Sequence, residues 1–146
     1  MNSNTRTGDV NEVSLFRLYL LRGLYLFVVV GLVIVQWPAI IDKIIHPDKT
    51  WELMDGVVTC MLTSFSLLCI LGIRYPLQMI PVLLWELLWK TLWLLIAALP
   101  LWTSGQMDDA TQETVISTML VVIFPFIIPW RYVFANYFKK RGNRWL

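Results

Sequence analysis

Glu86 and Lys90 are an acid and a base one helical turn apart, set inside the apolar stretch "WELLWKTLW" that runs from Trp85 to Trp93. A single charge at the centre of a membrane-spanning helix costs roughly 2.5–3.5 kcal/mol on insertion scales. Their i, i+4 spacing with the acid first is the favoured order for a helical pair. Such a pair can share its charges, or pass a proton between its members and become neutral. On a helical wheel with Trp85 at the origin, Trp89 falls at about 40°, Trp93 at about 80°, Glu86 at about 100° and Lys90 at about 140°. Leu83, Leu84, Leu87, Leu88, Leu92, Leu94 and Leu95 fill the rest of the circle. The expectation is a leucine face toward lipid and an aromatic, ionisable face toward protein or a water-filled cavity.

The elements that must position this pair follow from the apolar runs. The chain has 146 residues, 58% hydrophobic and 15% charged. Soluble domains carry about 25% charged residues. The apolar excess falls into four runs near the length that crosses a hydrocarbon core of about 30 Å. They lie at about 23–41, 56–73, 77–101 and 114–133, followed by a basic and aromatic tail at 134–146. The sequence therefore predicts an all-α integral membrane protein. Its expected form is one domain of four transmembrane helices in an up-down bundle. Met1–Asn11 is polar and the first run is long for a signal peptide, so that run is expected to persist as a helix. Asp108, Asp109 and Glu113 suit the N-terminus of the fourth helix.

Orientation follows from lysine and arginine. Arg6, Arg17, Arg22, Arg74, Arg131, Lys139, Lys140, Arg141 and Arg144 flank one set of span ends, and only Lys43 and Lys49 flank the other. Basic residues near span ends stay cytoplasmic, which places both termini there. The other loops are acidic and hold the chain's one histidine, His46, read as a surface residue. Ile40, Ile41, Ile44 and Ile45 recur at helical spacing, so the first loop is expected at the outer interface, anchored by Trp51. Trp37, Trp102, Trp130 and Trp145 sit near span boundaries, as an aromatic belt would.

Partners for the pair are expected on two neighbouring spans. Thr59, Thr63 and Ser66 form a hydroxyl stripe, with Ser66 near the depth of Glu86 and Thr63 near that of Lys90. Pro125 and Pro129 free the carbonyls of Val121 and Pro125, and the former lies at a depth that suits Lys90. Trp89 and Trp93 offer the ammonium a cation–π contact.

By number of spans and by size the chain is similar to the small multidrug transporters. The functional glutamate of that family lies in its first span, and here the first span holds no acid. The resemblance is one of architecture, and no residue is carried over. Short loops without a translocated domain also look like those of many small bacterial inner-membrane proteins.

Several function classes are poorly served. Cys60 and Cys69 lie nine residues apart on opposite faces of one helix, so they neither bridge within it nor show metal-ligand spacing. No Ser–His–Asp set or glycine-rich phosphate loop is present, so neither enzyme nor cofactor chemistry is expected. The outer acids suit helix capping better than a metal. A net charge of +2 does not suit nucleic acid. The expected partners are the lipid bilayer and a second copy or another membrane protein. The first reading is a non-catalytic module associating through Trp85, Glu86, Trp89, Lys90 and Trp93, with Thr63 and Ser66 behind them. Its alternative is a small transporter or channel subunit using Glu86 and Lys90 as an ion, proton or substrate site. Lipid or small-molecule binding in a tryptophan-lined cleft is a further reading.

Overall fold

The computed structural model describes residues 13–48 and 50–142. Arg6, Lys49, Arg144 and Trp145 fall outside them. Every element among the described residues is helical.

The first helix, α1 (Leu15–Val35), opens on Ser14, whose hydroxyl accepts the Arg17 N–H at 3.4 Å. It begins eight residues before the expected Gly23, because Arg17 and Arg22 belong to its first turns. Arginine is tolerated there because its long stem carries the charge toward the boundary. At the far end Pro38 has no N–H to give the Ile34 carbonyl, so α1 stops at Val35. A second helix, α2 (Trp37–Ile45), restarts with Pro38 in its first turn, where the missing donor costs nothing. Ile41, Ile44 and Ile45 are exposed along α2. The expected first span is thus two helices.

The third helix, α3 (Leu53–Arg74), ends with Arg74 in its last turn, followed by Tyr75-Pro76. It packs along α1 more extensively than any other pair of helices does. Gly72 makes that approach possible. A Cβ there would collide with the Tyr25 ring of α1. The Tyr25 hydroxyl donates to the Pro76 carbonyl at 3.0 Å, so its polar tip is satisfied where water is scarce. Small residues let helices close in where lipid supplies no hydrophobic drive.

Beyond the turn, α4 (Ile80–Trp93) runs through a wide π turn at Leu94–Ala98 into α5 (Leu99–Thr103). The cause is Pro100, which cannot donate to the Ile96 carbonyl. The Leu99 N–H reaches back five residues to Leu94 instead. The fourth crossing starts at α6 (Asp109–Met119), where the Asp108 carboxylate accepts the Thr111 N–H at 2.9 Å. It tightens to a 3-10 turn at Leu120–Ile123 and continues as α7 (Phe124–Ile127). Ile128 is extended, as the residue before a proline prefers. Pro129 then leads into α8 (Trp130–Val133) and a π turn at Phe134–Lys139. The fourth expected span, placed at 114–133, therefore starts earlier and breaks at Ile128.

Four stretches are long and apolar enough to cross a membrane: Leu15–Val35, Leu53–Arg74, Ile80–Thr103 and Asp109–Ile127. No more than 22% of the most apolar window of each is buried inside the chain, so most of each helix faces outward. The core is a thin seam of Leu21, Leu24, Tyr25, Phe65, Cys69, Ile80, Leu83, Val121, Phe124, Ile128 and Val133.

Candidate functional site in the third span

Glu86 points into that seam with its side chain 3% exposed. Both carboxylate oxygens are used. Oε1 lies 2.7 Å from the Lys90 ammonium, and Oε2 accepts the Trp89 indole N–H at 2.6 Å. The ammonium also sits 5.6 Å from the centre of the Trp89 ring. The three side chains occupy positions i, i+3 and i+4 of α4, so a single turn closes the cluster. A helix brings those positions to one face whatever lies opposite. Charge-assisted bonds of this length are the strong kind, and they suit a site with little water. Lys90 keeps 19% of its side chain exposed.

The expected partners from neighbouring spans do not reach the cluster. The Thr63 hydroxyl donates to the Thr59 carbonyl of its own helix at 2.8 Å. The Ser66 hydroxyl donates to the Thr63 carbonyl at 2.6 Å and accepts the Trp37 indole N–H at 3.0 Å. A hydroxyl on a helix always has a carbonyl one turn back within reach. The freed carbonyls of the fourth span are taken too. Val121 receives the Phe124 N–H within the 3-10 turn, and Pro125 receives the Trp130 indole at 2.7 Å. Trp130, read as a boundary residue, is thus a staple across the break at Ile128.

The expected facing of α4 also needs correction. Its buried line is Ile80, Leu83 and Glu86. Leu83 is core, whereas Leu88, Leu92 and Leu95 are exposed. The tryptophans flank this line. Trp89 and Trp93 are half-buried, and Trp85 is 41% exposed. Leucine suits lipid and core equally, so its place on a wheel does not tell them apart.

Trp85 instead borders an open groove between α3 and α4. The groove holds about 520 Å3 and is lined by Cys60, Met61, Ser64, Phe65, Pro81 and Trp85, among others. The Phe65 and Trp85 rings lie 5.9 Å apart, and Trp85 lies 6.3 Å from Trp89. Ser64 turns its hydroxyl to the Cys60 carbonyl and leaves an apolar lining.

Chemically, the cluster can move a proton between Glu86 and Lys90. No other titratable side chain lies within hydrogen-bond distance of either among the described residues. Cys69 is buried in the same seam. Among the described residues no three His, Cys, Asp or Glu side chains converge as a metal site would require. His46 pairs with Asp42 at 3.0 Å on the surface. Hydrogen bonds from Thr111 hold the Asp108 carboxyl below its usual range. Tyr25, Gly72 and Trp37 escaped the sequence reading because they act through tertiary contacts, and Trp130 because it closes onto Pro125 across a break in its own span. The usable signal was a polar-tipped aromatic inside an apolar run, since its tip must find a partner.

Comparison with protein-family models, with curated proteins and with solved structures finds no match to this chain. Its class rests on its own features: an all-helical membrane protein with four helices able to cross the bilayer and one closed ionic cluster in the third.

Proposed function

We propose that this protein is a non-catalytic membrane module that associates with a second copy of itself, or with another membrane protein, through the tryptophan flank of α4 and the adjoining face of α3. The observation that carries this reading is the open apolar groove beside the exposed Trp85 ring. Tryptophan beside small residues such as Cys60 and Ser64 is a fitting contact surface for a lipid-embedded helix. In this reading Glu86, Trp89 and Lys90 stiffen the helix that presents the surface. The four helices alternate across a bacterial inner membrane as an up-down bundle, and both termini are cytoplasmic, on the strength of the nine-to-two basic asymmetry. Native mass measurement in lipid nanodiscs tests the association. A closed oligomer is expected, and Ser64→Leu, which fills the groove, should shift it toward monomer. A monomer in the unmutated protein removes self-assembly.

The partial exposure of Lys90 favours a second reading, a small transporter or channel subunit that exchanges a proton or substrate at Glu86 and Lys90. Proton movement into liposomes with a trapped pH dye separates the two. No flux above empty liposomes is expected. A clear flux that vanishes in Lys90→Arg, with assembly intact, would promote the transporter, because arginine keeps the charge and resists deprotonation.

A further inference from the structure

The basic residues at one end of the molecule are brought together by tertiary contacts. The hydrogen bond from Tyr25 to Pro76 ties the middle of α1, one turn after Arg22, to the turn after α3. α7, which leads toward the C-terminal π turn, packs against α1. Arg17, Arg22, Arg74, Arg131, Lys139 and Lys140 therefore share this end. Residues 13–25, 72–80 and 128–142 contain no aspartate or glutamate. Asp9 and Glu12 lie outside the described residues.

Two further observations point to what meets this surface. The Nε of Arg22 is buried and has no hydrogen-bond partner among the described residues. Its guanidinium lies 5.8 Å from the Tyr19 ring centre. The residue as a whole is only partly buried, and a phosphate is the acceptor that a guanidinium's planar fork fits best. The second observation is an aromatic rail. Trp130, Phe134 and Phe138 recur every four residues with ring centres 6.4 and 5.4 Å apart. Phe134 is 52% and Phe138 74% exposed, and Arg131 and Lys139 each follow a ring of the rail. Exposed rings next to cations suit the headgroup boundary, where the rings enter the acyl region and the charges meet phosphate.

We propose that this end binds the headgroup of an anionic phospholipid, with Arg22 as the specific donor to its phosphate and the tail from Trp130 to Arg141 lying on the same leaflet. A membrane lipid is favoured over a soluble phosphate by depth. Arg22 lies about one turn before Tyr25, whose hydroxyl bonds the turn after α3, so it stands at the depth where that turn meets the headgroups. A phosphate held in the leaflet is the anion within its reach. This site is separate from the groove of α3 and α4 and stands whether or not the protein self-associates.

The test is lipid retention by the full chain, read by native mass spectrometry after release from phosphatidylcholine nanodiscs doped with phosphatidylglycerol. The unmutated protein is expected to retain phosphatidylglycerol over phosphatidylcholine. Arg22→Gln should lower that preference about fivefold, the equivalent of about 1 kcal/mol per basic residue at an anionic surface. Arg22→Lys keeps the charge but lacks the planar fork, and should lower it at least about threefold. The exposed triple variant Lys139→Gln, Lys140→Gln, Arg141→Gln leaves the core intact and should lower it about tenfold or more. Far-UV circular dichroism checks folding. If Arg22→Gln loses helix, the lysine and triple variants decide. Equal retention of both lipids, or an unchanged preference in Arg22→Lys, overturns the proposal. Displacement of the lipid by millimolar inorganic phosphate would show a soluble-anion site and overturns it as well.

Discussion

Replacing Glu86 by alanine should cost more stability than replacing Glu86 by alanine and Lys90 by leucine together. The single change leaves the Lys90 ammonium without the oxygen now 2.7 Å away, and the Trp89 indole without its acceptor at 2.6 Å. Breaking one side of a buried ion pair costs about 3–5 kcal/mol. Lys90 is one-fifth exposed and can partly rehydrate, so the low end, about 3 kcal/mol, applies. The orphaned indole N–H and the space left by the glutamate add about 1 kcal/mol each, giving about 5 in all. In the double variant no charge remains. The indole and the space left by the glutamate account for about 2 kcal/mol. The predicted gap is therefore about 3 kcal/mol in favour of the double variant. Titration with a denaturing detergent in mild micelles, followed by far-UV circular dichroism, measures both. A double variant as weak as or weaker than the single one would refute the claim that the two side chains are energetic partners.

Gly72→Ala should weaken the α1–α3 junction by about 1–3 kcal/mol, because the added methyl meets the Tyr25 ring with no space to spare; the same detergent titration, followed by energy transfer between labels on α1 and α3, reads it. Trp130→Phe keeps the ring and removes the donor to Pro125, so it should cost about 1 kcal/mol and raise hydrogen exchange around Ile128. Asp108 has its carboxyl lowered by hydrogen bonds from Thr111, so its stabilisation is full above the ordinary carboxylate value and fades as pH falls through the lowered one. Protection of the Thr111 amide, corrected for intrinsic exchange, should fall with acid in the unmutated protein and stay level in Asp108→Asn, whose amide caps without titrating. In a background with Cys60 and Cys69 replaced, an impermeant thiol reagent on whole cells should label a cysteine at position 105 and spare one at 142; the opposite pattern would reverse the proposed orientation.

Run length and hydropathy made the four crossings legible in the sequence, since a bilayer allows few other spanning structures. Their ends were less so, and proline decided most of them. Pro38 cut α1 from α2, Pro100 opened the π turn at Leu94–Ala98, and Pro129 broke the chain at Ile128. In each case local backbone geometry chose where the missing donor was absorbed, which an apolar pattern does not encode. The Glu86–Lys90 contact was legible because it is local. The partners proposed for it were misplaced because depth along a helix gives height and leaves direction open. Ser66 shows this well. It lies in the core, but its hydroxyl serves Trp37 and its own helix.

These bonds share a pattern that bears on how the molecule assembles. Glu86, Trp89 and Lys90 satisfy one another within one turn, and Thr63, Ser64 and Thr91 each donate to a carbonyl one turn back. Trp130 closes onto Pro125 five residues away. Among the described residues only two side-chain hydrogen bonds reach between separate parts of the fold, Tyr25 to Pro76 and Trp37 to Ser66. Each helix can therefore enter lipid with most of its polar groups already paired, leaving helix association to shape and to those two bonds. The two kinds of contact should fail differently. Losing Glu86 raises the cost of keeping α4 in the bilayer, whatever its neighbours do. Losing the Gly72 notch leaves every helix content in lipid and weakens only the α1–α3 junction. Gly72→Ala should thus separate α1 from α3 with helix content unchanged, whereas Glu86→Ala should lose helix as it unfolds. A loss of helix in Gly72→Ala equal to that in Glu86→Ala would show that insertion and association are one cooperative step here.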